Sequence, residues 1–560
     1  MHVFAIIYTL HTLWAFFKGV NYVYSDLSTF LAHLCLGIVF NYTLGINLKG
    51  IIKKKTPHTI AITLLSFVLV VLMRYRYRFG ASADLGVFFD NFELLFNIEG
   101  LDTASGKLKN KDYLIAFAVA IACGAVNFFR FSVLKTKLPI LITAPLSLLF
   151  IILFPIQNDE ALTATRSTYL YFFPKNYQGE HFQNFINKGP RKIEIKSNIQ
   201  EKPNVFVILL ESFSTSYIGE KTTEGTEITP TFNRLIKDYT SIPNYYAPTI
   251  QTVKAQYSLL CSKIPLIKGK ASYQLDHIKF NCLPKYLRKN GFETLFYKSY
   301  QDMTFDNTDL FAKKIGFNHV EAAPINTLSS EQKKKFIWGW GVQDDVSYKM
   351  FLDRAQKLAQ DKPIFAVMTT VSHHMNFNKV PKHLWKLYQK PKNKTQRFQN
   401  SLYLSDLYLQ TFISEIKSRG LDKNSIIFIT ADHSYPSGEN GNHNSELGAF
   451  EENFKVPMII LGKDKLIPSI NKKLTYSHYD LMPTILDSVG YNGTIESIGD
   501  SMYHKKQNAI SPLIQPYNGL KIAFIDYPQK YVWSAMNDRT EKYLLGEKEV
   551  LSEIKKNRSF

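Results

Sequence analysis

Two kinds of hydrophobic pattern divide this chain. Up to about residue 155, apolar residues run in long stretches, at approximately 3–23, 28–47, 58–74, 112–129 and 138–155. A helix that spans a bilayer needs ~17–25 mostly apolar residues, so five spanning helices are expected in a membrane domain over 1–156. HTIAITLLSFVLVVLM and PILITAPLSLLFIILFPI carry the pattern most clearly. The first stretch is interrupted by His11 and Lys18. It lacks the basic start and small-residue cleavage site of a signal peptide. From residue 204 the apolar runs become short, and each closes on polar residues. NVFVILLES, FETLFYKSY, KPIFAVMTTVSHH and SIIFITADHS read as buried parallel strands. TPTFNRLIKDY and SLYLSDLYLQTFISEIKSRG read as helices between them. Strands alternating with helices predict a doubly wound α/β sheet, expected over 201–515. A small β-rich subdomain is expected over 516–560. Residues 157–200 read as a linker at the membrane surface, with TYLYFFP near the head groups and a basic, polar segment after it.

Charge adds an orientation. The chain carries 67 Lys and Arg against 47 Asp and Glu, a formal net charge of +20. Such a chain can bind nucleic acid or lie beside an anionic membrane surface. The apolar first 155 residues favour the bilayer as partner and argue against nucleic acid. Lys49, Lys53, Lys54 and Lys55 fall in one inter-helix loop, and Arg130, Lys135 and Lys137 in another. Placing both loops in the cytoplasm sends everything after 156 to the outside of the membrane. Arg74, Arg76 and Arg78 then lie on the outer side, against the trend. Residues 79–106 suit either an interfacial amphipathic helix or an ordinary loop. Cys35 and Cys123 sit in apolar stretches. Cys261 and Cys282 can form a disulfide outside the cytoplasm, and would otherwise be two buried thiols.

In doubly wound sheets ligands bind beyond the carboxyl ends of the strands, so the polar residues there are the candidates for chemistry. Glu211 closes one strand, Asp432 and His433 another, and His373 and His374 a third, while His443 lies in the loop GENGNHN. Taken singly, a strand-end carboxylate is usually a solvated or capping group, and a histidine usually structural. Together, carboxylates, an imidazole and a hydroxyl suit one divalent ion.

The ordered set NVFVILLES, QTVKAQYSLLCS, TVSHHMNF, TADHS and SHYDLMPTILDSVG resembles the catalytic domain of lipoteichoic acid synthase-like phosphoglycerol transferases. These belong to the sulfatase and alkaline phosphatase superfamily. The preceding helices resemble that family's membrane part, so the similarity spans nearly the whole chain. It implies an α-helical membrane domain followed by an α/β sulfatase-like domain. It also implies Glu211, Thr252, Asp432 and His433 as ligands of one divalent metal, with Mn²⁺ favoured and Zn²⁺ or Mg²⁺ as alternatives. Thr252 would be the nucleophile, and His374 would face the substrate phosphate. His443 resembles a histidine of the related phosphoethanolamine transferases, which share the GENG stretch. His478 is open between orienting the site and plain helix packing. Trp338 and Trp340 read as core or interface. Two departures bear on the head group. Ser434-Tyr435-Pro436 replaces the usual loop after the Asp-His pair. Where the family has Trp-x-Arg, the nearest counterpart is Phe305-Asp306-Asn307.

The function implied is transfer of phosphoglycerol from phosphatidylglycerol, through a phospho-threonine, to an extracytoplasmic glycan or polymer. The alternative is a phosphoethanolamine transferase acting on lipid A or another glycan. A sulfatase would need Cys or Ser in a C/S-x-P-x-R setting, and Cys261-Ser-Lys-Ile-Pro lacks that spacing. A catalytically dead lipid-binding protein would not require the ligand set.

Overall fold

The structure is a computed structural model. It describes residues 3–17, 27–79, 84–91, 110–130, 142, 145, 167–169, 171–173, 190–375, 377–439, 443–446, 448–462, 469–504, 511–517, 520–534, 539–546 and 550–556. The chain divides into two compact units, the first built on residues 1–176 and the second on most of the remainder.

In the first unit, the described helices are Val3–Phe17, Leu27–Ile51, Lys55–Phe79, the short Leu85–Asp90, and Asn110–Arg130. Three of them are long and apolar enough to cross a membrane, over Leu34–Ile51, Lys55–Arg76 and Asn110–Phe129. The fifth apolar stretch, 138–155, lies outside the described residues except for positions 142 and 145. Ile60, Leu64 and Val68 are exposed one helical turn apart, as are Leu114, Phe117 and Ile121. Such apolar stripes suit lipid contact. Lys55–Phe79 and Asn110–Arg130 pack closely, and a Cβ on Gly124 would lie 2.2 Å from Thr63 Oγ1. At one end of this pair Arg74 meets Asp112 at 2.6 Å, both side chains buried. At the other, Asn127 Nδ2 lies 3.0 Å from Thr59 Oγ1 and 3.1 Å from His58 Nδ1. Arg74, which ran against the orientation rule, is therefore paired inside the bundle rather than free at the surface.

The second unit is built on a seven-stranded sheet in the order Thr240–Ser241, Met458–Leu461, Ser425–Ala431, Asn204–Leu210, Ile364–Thr369, Glu293–Lys298, His319–Ala322. The last five are mutually parallel, and Met458–Leu461 runs antiparallel to its neighbours. All four strands expected from the sequence are present. Ser425–Ala431 and Ile364–Thr369 are buried at every position. A strand buried throughout must be covered on both faces, which is why these runs are continuously apolar. The helices fall into two packed groups. Pro230–Asp238, Asp344–Leu358 and Lys394–Ser418 form one, and Thr252–Cys261, Leu283–Lys289 and His478–Ser488 the other. Five antiparallel strands between Ser511 and Lys556 form a separate meander.

Cys261 and Cys282 are disulfide-bonded. The bond joins the last residue of Thr252–Cys261 to the residue that caps Leu283–Lys289. Closing a loop of this size stabilises by about 3 kcal/mol in the chain-entropy model. Reductant is expected to lower the thermal unfolding temperature of the full chain in detergent. Without reductant, only two of the four cysteines should alkylate after unfolding. Reaction of all four would contradict the bond.

Candidate metal centre

The site begins with strand register. Leu210 pairs with Ala431 across the parallel ladder, so Glu211 and Asp432 emerge side by side at the carboxyl edge. The Asp432 amide donates to the Leu210 carbonyl at 3.2 Å, which extends the ladder one step beyond the strands. Glu211 is held by its own amide, which donates to Thr370 Oγ1 at 2.9 Å.

Oxygens of Glu211 and Asp432 and a ring nitrogen of His433 lie within 4.8 Å of one another, and all three residues are buried. His433 Nε2 is 3.5 Å from Asp432 Oδ2 and 3.9 Å from Glu211 Oε1. His433 Nδ1 is 3.0 Å from the Ser434 carbonyl, which can only accept, so Nδ1 donates there and Nε2 is the ring atom turned toward the carboxylates. Asp432 Oδ1 accepts from the amides of Ser212 (3.0 Å) and His433 (2.8 Å). Its Oδ2 is buried without a hydrogen-bond partner among the described residues. Burial, and then the charge of Asp432, push the Glu211 carboxyl well above its usual range. Two crowded carboxylates, one with an oxygen lacking a partner among the described residues, and an imidazole Nε2 turned toward them fit a divalent cation.

Thr252 is the first residue of its helix, half-buried, where the helix-start amides favour an anion. That helix is tied to the ligand strand through His478. Its ring faces the Ala255 backbone, and its Nε2 donates to the Ala431 carbonyl at 3.1 Å. His478 therefore links the two elements. The neighbouring Thr249 is fully buried.

His374 is half-buried, and Trp340 covers its ring at 4.3 Å between centroids. Its Nδ1 donates to the Met375 carbonyl at 2.8 Å, and burial lowers its pKa to about 4. The neutral ring thus presents Nε2 as an acceptor. His373 instead lies buried between Phe377 and Phe398, with Nδ1 on Ser401 Oγ. His443 does not join the three-residue cluster. It packs on Gly438, where a Cβ would meet its Cε1 at 2.9 Å, and Gly438 holds φ +131.

Three contributors were not evident in the sequence. Lys298 ends its strand with the charges of Asp306, Asp302 and Glu211 acting on it, and burial lowers its pKa to about 8. Its ammonium lies over the rings of Tyr300 and Phe305, which both touch Trp340. Asp344 accepts from the amides of Val371 (2.9 Å) and Ser372 (3.0 Å) and so braces the turn that carries His374. Ser212 touches both carboxylates, as described below. The signal for Lys298 was a lysine closing an apolar run. Asp306, in the stretch that stands for the absent arginine, is paired with Lys270 at 2.5 Å.

A parallel sheet that gathers two carboxylates and an imidazole at its carboxyl edge defines the class: an enzyme fold of the alkaline phosphatase type with a candidate metal centre. The chain belongs to the sulfatase family, whose model matches residues 203–491, more than half of its length. It is 28% identical over 352 residues to the lipoteichoic acid synthase of Staphylococcus aureus (strain USA300), covering 60% of this chain and 52% of that protein. The chain spans about half the length of the curated relatives it matches. Among solved structures it is similar to the lipoteichoic acid synthase LtaP from Listeria monocytogenes, with a TM-score of 0.52, 18% identity and coverage of 67% of this chain and 92% of that one. It is also similar to the integral membrane lipooligosaccharide phosphoethanolamine transferase A (EptA) from Neisseria meningitidis. There the TM-score is 0.59 at 14% identity, over 87% of this chain and 95% of that one. At such identities both structures speak for the fold. The N-terminal helices, the following globular unit and the disulfide fit a multi-pass inner-membrane protein with an extracytoplasmic catalytic face.

Proposed function

We propose that the chain is a membrane-bound transferase that moves a phospho head group from a phospholipid to an extracytoplasmic glycan, and that the group moved is phosphoethanolamine. The reading rests chiefly on the ligand cluster at the carboxyl edge of a sulfatase-family sheet. The choice of head group is supported by the extent of the likeness to EptA, which takes in 87% of this chain, more than the soluble part alone. It is supported also by the missing rim arginine, where Asp306 is committed to Lys270. Phosphoglycerol is the second reading, favoured by the 28% identity to a lipoteichoic acid synthase.

In this reading Glu211, Asp432, His433 and the hydroxyl of Thr252 hold one divalent ion. Mn²⁺ or Zn²⁺ suits two carboxylates, an imidazole and a hydroxyl. When bound, such an ion polarises a phosphoryl oxygen and stabilises an alkoxide. Thr252 Oγ passes its proton to water and bonds to phosphorus, the bond from phosphorus to the diacylglycerol oxygen breaks, and that oxygen takes a proton back from water. The helix-start amides offset the charge on Thr252. Lys298 faces the phosphoryl oxygens, and His374 lies beside the substrate phosphate, its unprotonated Nε2 able to take the proton of the acceptor hydroxyl. His443 contacts the substrate from the GENG loop. An acceptor hydroxyl then displaces the phospho-threonine and restores Thr252. Dividing the transfer into two displacements is the usual gain of covalent catalysis.

Mass spectrometry of the peptide containing residue 252 tests both readings, after incubation with phosphatidylethanolamine or with phosphatidylglycerol. A phosphoethanolamine adduct is expected from the first lipid alone. A glycerophosphate adduct from the second would replace the head-group assignment, and no adduct from either would remove the covalent route.

A further inference from the structure

The strand Asn204–Leu210 ends on two residues that behave unlike a continuing strand. Ser212 has φ +53, a left-handed conformation that few residues other than glycine adopt. It is 1% exposed. In an extended backbone its amide and side chain would diverge. Here both turn toward the same pair of groups. Its amide donates to Asp432 Oδ1 at 3.0 Å, and its hydroxyl donates to Glu211 Oε1 at 2.6 Å. One residue therefore holds both carboxylates of the candidate centre. A glutamate side chain has three rotatable bonds, so Glu211 needs a fixed partner to hold one orientation.

We propose that Ser212 is a positioning residue of the metal centre: its left-handed backbone aims one amide and one hydroxyl so that the Glu211 and Asp432 carboxylates are held for a divalent cation. The role rests on the reading of Glu211, Asp432 and His433 as metal ligands. The hydroxyl occupies one lone pair of Glu211 Oε1 and leaves the carboxylate's remaining lone pairs for the ion. The amide does the same for Asp432, whose Oδ2 has no hydrogen-bond partner among the described residues. Outer partners of this kind typically change metal affinity 10–100-fold when removed. The left-handed geometry alone would call for glycine. A serine there puts a hydroxyl at a position where the backbone favours a residue without a side chain.

That conflict supplies the test. Full-length chain in detergent is stripped of metal, and Mn²⁺ and Zn²⁺ affinities are measured by competition with a chelating dye for the parent, Ser212→Gly and Ser212→Ala. Glycine relieves the backbone and keeps the amide, and alanine keeps the backbone cost, but both lose the hydroxyl. The expected result is a 10–100-fold weaker affinity in both variants, with the metal-free glycine variant unfolding at or above the parent temperature. Affinity equal to or tighter than the parent in both overturns the proposal. Loss in alanine alone also overturns it, because backbone geometry rather than the hydroxyl would then be the determinant. A parent that binds neither ion would instead remove the metal-centre reading itself, and the proposal with it.

Discussion

Thr252→Ala is expected to lower kcat by about a thousand-fold or more, with little change in KM, because loss of an attacking group falls on the chemical step. The measurement is release of diacylglycerol from labelled phosphatidylethanolamine and phosphatidylglycerol. Metal content should persist in this variant, since Glu211, Asp432 and His433 are untouched and lie together without it. Thr252→Ser should keep part of the rate, because the attacking oxygen survives at the same helix start. A rate in Thr252→Ala equal to the parent would end the nucleophile assignment. Thr249 is fully buried three residues earlier, so it is poorly placed to take over without a rearrangement of the helix start.

The second large effect concerns Asp432. Asp432→Asn should reduce bound metal from one equivalent to near none by elemental analysis, and take turnover with it. The same substitution should stabilise the metal-free protein by about 1 kcal/mol, a gain typical of relieving an unfavourable functional group. The reason lies in the pair: burial and the Asp432 charge both oppose ionisation of Glu211. An amide at 432 removes that charge while its oxygen still accepts from Ser212 and His433. Unchanged metal content, even when Glu211→Gln is added, would show that these carboxylates are not ligands. Metal-free thermal unfolding, followed by circular dichroism, reads the stability.

The sheet was legible because fully buried parallel strands write themselves as short apolar runs, and because their polar closures mark the edge where ligands gather. Glu211, Asp432 and His433 were found in this way, and the structure brings them together. Thr252 was not legible by that route. A threonine that opens a helix looks the same whether it caps the helix or attacks a substrate, and only the resemblance singled it out. Lys298 escaped notice because a lysine after an apolar run is ordinarily solvated. Asp344 could not be seen, because its partners Val371 and Ser372 lie 27 and 28 residues away and the bonds run to their main-chain amides. Arg74 misled for a related reason. An orientation count sees residue types and not partners, and Asp112 lies 38 residues further on. Ser212 depends on a backbone angle that the Glu-Ser dipeptide does not announce.

The ladder that brings Leu210 level with Ala431 is made entirely of main-chain groups. Nothing in it depends on which apolar side chain stands at 205–210 or 426–431, only on each fitting between sheet and helices. A lineage can therefore rewrite those interiors repeatedly while the spacing of the carboxylates beyond them stays fixed. The heritable part of such a centre is a handful of positions just past the strand ends, together with a count of residues. Insertions within a strand should accordingly be far more damaging than most substitutions, because one added residue shifts a ligand along the edge and turns it to the opposite face.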